Sequence, residues 1–245
     1  MNDSNYIFLV LIPLVAFLYS SVGHGGASGY LALMVFFGIS PVLMKPSALI
    51  LNIFVSGIAF IHYYANGYFK WKILVPFIIL SIPMSFIGAK INLDTDVYNV
   101  ILAICLLIAI IRIFGFSKKD SEMELKHLPF LPALIIGGLI GFISGIIGIG
   151  GGLLLSPILI LLNWANMKQT AAVSAAFILL NSISGLIGAS LASQFLSSEL
   201  YLWTALAIAG GMVGAWFGSK RFNIATLKYI LAFVMLLACF KLAIN

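Results

Sequence analysis

The sequence predicts an all-helical integral membrane protein made of two related halves. Of its 245 residues, 62% are hydrophobic and 8% are charged, whereas a soluble domain averages about 25% charged residues. The apolar residues form long segments separated by short polar ones, and several motifs occur twice in the same order. A chain with so few charges cannot cover itself with a polar surface, so we expect the lipid bilayer to be its surroundings.

The apolar segments fall into two groups of four. They lie at 6–37, 42–66, 72–92, 97–115, 129–163, 167–193, 199–219 and 225–244. The polar stretch FSKKDSEMELKHL at 116–128 separates the groups. We therefore predict a first membrane repeat at 1–115, a linker at 116–128 and a second membrane repeat at 129–245.

Three motifs indicate that the halves arose by internal duplication. VGHGGASG at 22–29 matches IGIGGGLL at 147–154, and MKPSA at 44–48 matches MKQTA at 167–171. FIGAK at 86–90 matches WFGSK at 216–220. Three matches in the same order are typical of the internal repeats of transporters.

The first segment of each half is unusual. Segments 6–37 and 129–163 exceed the about 20 residues of one membrane span, and each has a glycine cluster near its middle. Each is either a broken helix that crosses the bilayer or a re-entrant hairpin. If both are hairpins and the N-terminus is outside, ten of the 13 basic residues are cytoplasmic, against six or seven if all eight segments cross. The ten are Lys70, Lys72, Arg112, Lys118, Lys119, Lys126, Lys168, Lys220, Arg221 and Lys228.

The positive-inside rule therefore favours the hairpins. Three spans and one hairpin per half make an odd repeat, so we predict inverted repeats with a cytoplasmic linker at 116–128. The predicted location is the plasma (inner) membrane, in a multi-pass arrangement with the N-terminus outside.

The glycine clusters 23–29 and 148–152 are the predicted substrate site. Irregular backbone is tolerated at membrane depth only where it is buried in protein or lines a cavity. A glycine turn that opens into a helix presents N–H groups and the positive end of the helix dipole, which together suit an anion. The alternative is that the glycines only allow close helix packing. The predicted binding residues are Gly23, His24, Gly25, Gly26, Asn52, Ser56, Gly148, Gly150, Gly151, Gly152, Ser174 and Asn181.

Polar residues also follow one face of the segment after each hairpin. They are Lys45, Asn52 and Ser56 in the first half, and Thr170, Ser174 and Asn181 in the second. These donors suit an oxyanion, although hydrogen bonds between helices would explain them equally well. Lys45 and Lys168 begin their helices, where they either attract anions at the cavity mouth or extend to the membrane interface.

His24 is the only ionisable side chain in either glycine cluster, and the second copy has Ile149 in its place. An ionisable group inside a membrane is a functional candidate. The imidazole either donates to an anion and titrates during transport, or is a neutral, hydrogen-bonded group.

The positions of the acidic residues disfavour a cation-binding site in the membrane. All seven lie in loops or at segment ends, so no carboxylate is placed to bind a cation in the membrane.

We expect no metal and no cofactor, and the absence of a nucleophile–base pair or nucleotide motif disfavours an enzyme. The net charge of +6 comes from loops and reads as an orientation signal, so no nucleic-acid partner is expected.

The stretch GIIGIGGGLLLSPILILL (145–162), followed by MKQTAAVSAAF (167–177), resembles the TauE/SafE family of sulfite and organosulfonate exporters. The resemblance covers essentially the whole chain, although the first half adds His24 and Ser28 to the glycine motif. It implies a permease for small sulfur oxyanions such as sulfite or sulfonates. The alternatives are an anion channel and a membrane scaffold for a sulfur-metabolising enzyme. Substrate, transport direction and oligomeric state are left open by the sequence.

Overall fold

The computed structural model describes residues 3–91, 93–115, 125–189, 198–220 and 236, and within these ranges it has nine α-helices and no strand. The helices are α1 (Asp3–Ser20), α2 (Ala27–Phe36), α3 (Pro41–Ala65), α4 (Trp71–Ala89), α5 (Thr95–Gly115), α6 (Phe130–Ile147), α7 (Gly152–Leu161), α8 (Met167–Gly188) and α9 (Ser198–Lys220). The all-helical prediction is confirmed for these ranges. Most of the predicted linker (116–124) and nearly all of the predicted last segment (225–244) lie outside the described residues.

Within the part of the chain that the structure describes, five helices are long and apolar enough to cross a membrane. They are Val42–Ala65, Trp71–Ala89, Phe130–Ile147, Met167–Gly188 and Glu199–Lys220. A span of the hydrocarbon core takes about 20 residues in a helix. The chain is therefore a multi-pass membrane protein.

The long first segment of each half is a pair of helices that folds back on itself. In the first half, the ring of Phe8 near the start of α1 lies 5.2 Å, centroid to centroid, from Phe37, which follows α2. In the second half, the Lys126 N–H ahead of α6 donates to the Asn163 carbonyl after α7, at 2.8 Å. Both pairs are thus hairpins, with the glycine clusters at their tips.

The helices that follow the hairpins, α3 and α8, pack antiparallel to each other. Leu49, Asn52 and Gly57 of α3 lie beside Gly185, Ser182 and Leu179 of α8, so the contacting residue number falls along α8 as it rises along α3. Small side chains such as Ala59 and Ala175 allow the close approach. This helix pair forms the centre of the molecule, on which both hairpin tips rest.

The first helix of each hairpin packs parallel to a helix of the opposite half. On α6, Gly137, Gly141 and Gly145 face the backbone of Phe77, Ser81 and Ser85 on α4. On α9, Gly210, Gly214 and Gly218 face the backbone of Pro13, Phe17 and Ser21. A glycine every fourth residue leaves a smooth stripe that lets two backbones touch, as in other membrane helix pairs. The contact between α1 and α9 is therefore the counterpart of the contact between α6 and α4, with the two halves exchanged.

Candidate functional site

Two glycine turns form the hairpin tips. The first turn, 21–26, joins α1 to α2, and the second, 148–151, joins α6 to α7. The N-cap residues of α2 and α7 are Gly26 and Gly151. Their backbone φ values are 98° and 77°, which residues with a Cβ rarely adopt. All glycines of both predicted clusters are buried. The sequence therefore places glycine where the backbone requires it.

The two tips meet at the same side chains of the central helix pair. A Cβ on Gly25 would lie within 3.1 Å of atoms of both Asn52 and Ile178. A Cβ on Gly150 would also lie within 2.8 Å of atoms of those two residues and of Ser182. There is consequently no room for a side chain on either tip in this conformation.

The Asn52 amide bonds to both tips. Its Oδ1 accepts a hydrogen bond from the Ala27 N–H at the start of α2, at 2.9 Å. Its Nδ2 lies 3.3 Å from the Ile149 carbonyl in the second tip and 3.4 Å from the Ser182 hydroxyl. An N–H needs an acceptor and a carbonyl needs a donor, so the two partners fix the orientation of the amide. Asn52 is fully buried, at 0% exposure.

His24 joins the first tip to the second half of the chain. Its Nδ1 lies 2.9 Å from the Val22 carbonyl, and its Nε2 lies 3.0 Å from the Ser156 hydroxyl of α7. Ser156 is in turn 2.7 Å from the Ser174 hydroxyl of α8 and 2.9 Å from the Gly152 carbonyl. The imidazole, an α7 serine and an α8 serine thus form one buried chain.

Hydrogen-bond accounting restricts the protons of this chain. Because the Val22 carbonyl only accepts, Nδ1 must carry a proton. The single Ser156 proton goes to Nε2 of a neutral imidazole, to the Gly152 carbonyl or to the Ser174 hydroxyl. In the last two cases the bond between Nε2 and Ser156 needs a proton on Nε2, and His24 is then a cation that donates to Ser156. This chain of hydrogen bonds is therefore complete when the imidazole is charged.

A small cavity lies between the tips. Its volume is about 10 Å³, which by the space that a water-sized sphere needs is room for about one water molecule. The lining residues are Tyr19, His24, Gly25, Gly26, Ala27, Ser28, Ile149, Leu153 and Ile178. The polar part of the lining comes from the first half and the apolar part from the second. No acidic side chain is among these lining residues.

The outer glycine of each tip contacts the opposite long helix. A Cβ on Gly23 would overlap the backbone of Ala171, and one on Gly148 would lie 2.9 Å from the side chain of Lys45. Lys45 and Lys168 themselves are half-buried and donate to backbone carbonyls at the ends of α4 and α9. Both lysines therefore bond within the protein.

Two predicted site residues bond within their own helices. The Ser56 hydroxyl donates to the Asn52 carbonyl at 2.6 Å, and the Asn181 Nδ2 donates to the Phe177 carbonyl at 2.8 Å. The Asn181 Oδ1 and the Thr170 hydroxyl are buried without a hydrogen-bond partner. The structure brings His24, Asn52, Ser174 and the tip glycines together, whereas Ser56 and Asn181 make no hydrogen bond to a tip.

Sequence reasoning missed several residues at the tips. Ser156 is the only polar residue in LLLSPILIL after the second glycine cluster, and this isolation could have marked it. Tyr19 lies ahead of the first cluster, and its hydroxyl oxygen is 2.6 Å from that of Ser28 within the cluster. Ile178 carries no such signal, because apolar residues are expected throughout a membrane helix.

Among the described residues, the acidic side chains Asp94, Asp96 and Glu199 are exposed and lie at or near helix starts. The same part of the chain holds no group of three or more His, Cys, Asp or Glu residues that could bind a metal ion. The polar groups at the tips are thus backbone N–H groups, hydroxyls, an amide and one imidazole.

Comparisons with known proteins agree with this architecture. Residues 8–242 match the family model described as "Sulfite exporter TauE/SafE". A probable membrane transporter protein of Sinorhizobium fredii is 37% identical over 231 residues, which cover 93% of this chain and 94% of that protein. Probable membrane transporter proteins of Methanocaldococcus jannaschii and Haemophilus influenzae are 30% and 29% identical, over 74% and 91% of this chain and 73% and 90% of their own lengths. No solved structure shows a significant match. The chain belongs to the TauE/SafE family of membrane transporters.

Proposed function

We propose that this protein is a secondary carrier that moves small sulfur oxyanions, sulfite or organosulfonates, across the plasma membrane. The substrate binds between the two glycine tips, at the level where the Asn52 amide now bonds to both of them. This single observation carries the proposal, because it places the N-terminus of α2 and the tip ahead of α7 within reach of one small group. The substrate class follows from membership in the family of sulfite exporters.

The charge distribution supports an anion. The N-terminal end of a helix carries roughly half a positive charge, and its first N–H groups have no partner within the helix. The tips that begin α2 and α7 both approach the cavity, and His24 supplies an ionisable donor. The described lining residues of the cavity include no carboxylate that would repel an anion.

The small size of the cavity supports a carrier with alternating access. Room for about one water molecule is too small for a sulfur oxyanion, so the tips must separate before a substrate enters. Glycine stripes attach α1 to α9 and α6 to α4. We propose that these two bundles move relative to the central helices α3 and α8 and open the site to each side in turn.

The packing supports inverted repeats. Helices α3 and α8 are equivalent by sequence, since MKPSA begins three residues after the start of α3 and MKQTA begins α8, yet the two helices run antiparallel. Equivalent spans that run in opposite directions belong to halves of opposite topology. With hairpins that return to the side from which they start, the N-terminus is outside and the linker at 116–128 is cytoplasmic.

The energetics suit export. The membrane potential contributes about 2.3 kcal/mol per elementary charge for every 100 mV. An anion leaves an inside-negative cell down this gradient, so a facilitated carrier needs no coupling ion. We expect the potential to drive flux and a pH gradient alone to drive none.

Reconstituted vesicles test the proposal. Purified protein in proteoliposomes should release labelled sulfite and methanesulfonate when the potential is clamped, at carrier rates and with saturation. Gly25→Leu and Gly150→Leu should abolish this flux while both variants still insert, because each new side chain would occupy the site. Normal flux in both variants would contradict the site, and a conductance far above carrier turnover would identify a channel.

A further inference from the structure

We propose that Asn52 is a latch: its amide takes the place of the substrate in the closed carrier, and binding of an anion releases both tips at once. The inference rests on the proposed function, whose site it deepens. Oδ1 of Asn52 accepts from the Ala27 N–H, which is one of the first N–H groups of α2 and thus part of the proposed anion site. The protein thereby supplies its own acceptor where a substrate oxygen would bind.

The latch connects the tips because one side chain bonds to both. Nδ2 of the same amide donates toward the Ile149 carbonyl of the second tip, and toward Ser182 of α8. An anion oxygen that accepts from Ala27 must displace Oδ1, and the rotation that removes Oδ1 also removes Nδ2 from Ile149. Binding at the first tip therefore breaks the bond to the second tip without a separate signal.

The second half has no equivalent latch. Counted from the aligned lysines 45 and 168, the residue at the position of Asn52 is Ala175. The α8 asparagine, Asn181, donates to its own helix. The latch asparagine thus lies in the same half of the chain as His24.

A hydrogen-bond donor near the first tip would bond to an anion after the Asn52 amide moves away. The Tyr30 hydroxyl is buried, at 1% residue exposure, and has no hydrogen-bond partner. It lies beside the cap of α2, since a Cβ on Gly26 would be 2.9 Å from it. An unpaired buried hydroxyl costs free energy, which a ligand acceptor would recover.

Cysteine labelling tests the latch without relying on transport. Ile149→Cys is introduced in a chain whose two native cysteines are replaced by alanine, and its reaction with a maleimide is timed. We expect Asn52→Ala to speed the reaction by about tenfold, because two buried hydrogen bonds no longer hold the tips together. Asn66→Ala, the same change at the exposed end of α3, should leave the rate unchanged. Methanesulfonate should speed the reaction in the chain that keeps Asn52, and should add nothing after Asn52→Ala.

A second variant keeps the test independent of labelling. Asn52→Asp retains an acceptor for Ala27 but loses the donor for Ile149, and its charge competes with the substrate. We expect the KM for methanesulfonate to rise by about tenfold or more in proteoliposomes. Equal labelling rates with and without Asn52, or an unchanged KM in Asn52→Asp, would overturn the latch. If methanesulfonate speeds labelling only in the chain that keeps Asn52 but no anion crosses the membrane, the latch is supported and the proposed transport is overturned.

Discussion

The ammonium group of Lys45 donates to the carbonyl oxygen of Ala89, the last residue of α4, at 3.0 Å. The second half repeats the contact, since Lys168 donates to the carbonyls of Gly218 and Ser219 near the end of α9, at 2.6 and 3.2 Å. Carbonyl groups at a helix end carry partial negative charge and have no partner within the helix. The repeated lysine motif thus binds the repeated motif at 86–90 and 216–220.

The first prediction concerns this pair. Lys45→Met and Lys168→Met should each lower the free energy of unfolding by about 1 to 2 kcal/mol, because each leaves half-buried helix-end carbonyls without a charged donor. Thermal unfolding of the purified protein measures the loss. Lys70→Met, at an exposed lysine ahead of α4, is the matched control and should change stability little.

The same variants test whether the lysines attract anions at the cavity mouth, as one interpretation of the sequence predicts, or only bind the helix-end carbonyls seen in the structure. If they only cap helices, the KM for the anion stays near its original value in the molecules that remain folded. If they attract anions at the cavity mouth, KM rises and the increase shrinks as salt is added, because salt screens such charges. We expect the first result, since both ammonium groups already bond to carbonyls.

The second prediction separates backbone strain from crowding at a tip. Gly150→Ala places a Cβ within 2.8 Å of Asn52, Ile178 and Ser182, at a φ of 72°. Gly38→Ala has nearly the same φ, 70°, but no heavy atom lies within 4 Å of the new Cβ. Both variants incur about 1 to 2 kcal/mol of left-handed strain. Only Gly150→Ala should lose transport, by tenfold or more in a vesicle flux assay, and equal flux in the two variants would argue against the tip as the site.

Much of the fold could be predicted because its causes are local. Hydrophobic length predicts the helices, glycine clusters predict their breaks, and the repeated motifs reveal two related halves. The partners of the hairpins could not be predicted in this way. α6 packs on α4 of the other half, and the glycines that allow it, Gly137, Gly141 and Gly145, look from sequence like any small residues of a membrane helix.

The site was predictable only in part, for a similar reason. Glycine, histidine and asparagine stand out in an apolar chain, so His24, Asn52 and the tips could be identified by residue type. Whether an asparagine bonds to its own helix or across the protein depends on its rotation and its neighbours. Asn52 bonds to both tips whereas Asn181 donates to its own helix, and no local pattern distinguishes the two.

The third prediction tests the glycine stripes between the hairpins and the opposite helices. In Gly141→Leu the new Cβ would lie 2.6 Å from the Cα of Ser81, so α4 and α6 must move apart. We expect a loss of about 2 kcal/mol or more in stability, because backbone cannot yield as a flexible side chain can. Gly57→Ala is the control: its Cβ would meet only Leu179, at an ordinary 3.8 Å. Thermal unfolding should distinguish the two variants, and similar melting temperatures would show that the stripe is not closely packed.

The fourth prediction concerns the charge on His24. A protonated imidazole attracts an anion, so KM should fall as the pH is lowered from 8 to 5.5, by about fivefold for a charge interaction of about 1 kcal/mol. Methanesulfonate is the right substrate because its own charge is constant over this range. Among the lining residues, His24 is the one whose side chain can become a cation.

His24→Gln keeps a polar side chain in the chain to Ser156 but cannot acquire a charge in this pH range. Its KM should therefore be independent of pH and should lie near the value of the unaltered protein at pH 8. Ser156→Ala removes the hydroxyl that lies 3.0 Å from Nε2 and keeps the imidazole, so the pH dependence should persist. Parallel pH profiles for the unaltered protein and His24→Gln would mean that the histidine is a neutral, structural group. In that case the anion is held by the helix ends and hydroxyls alone.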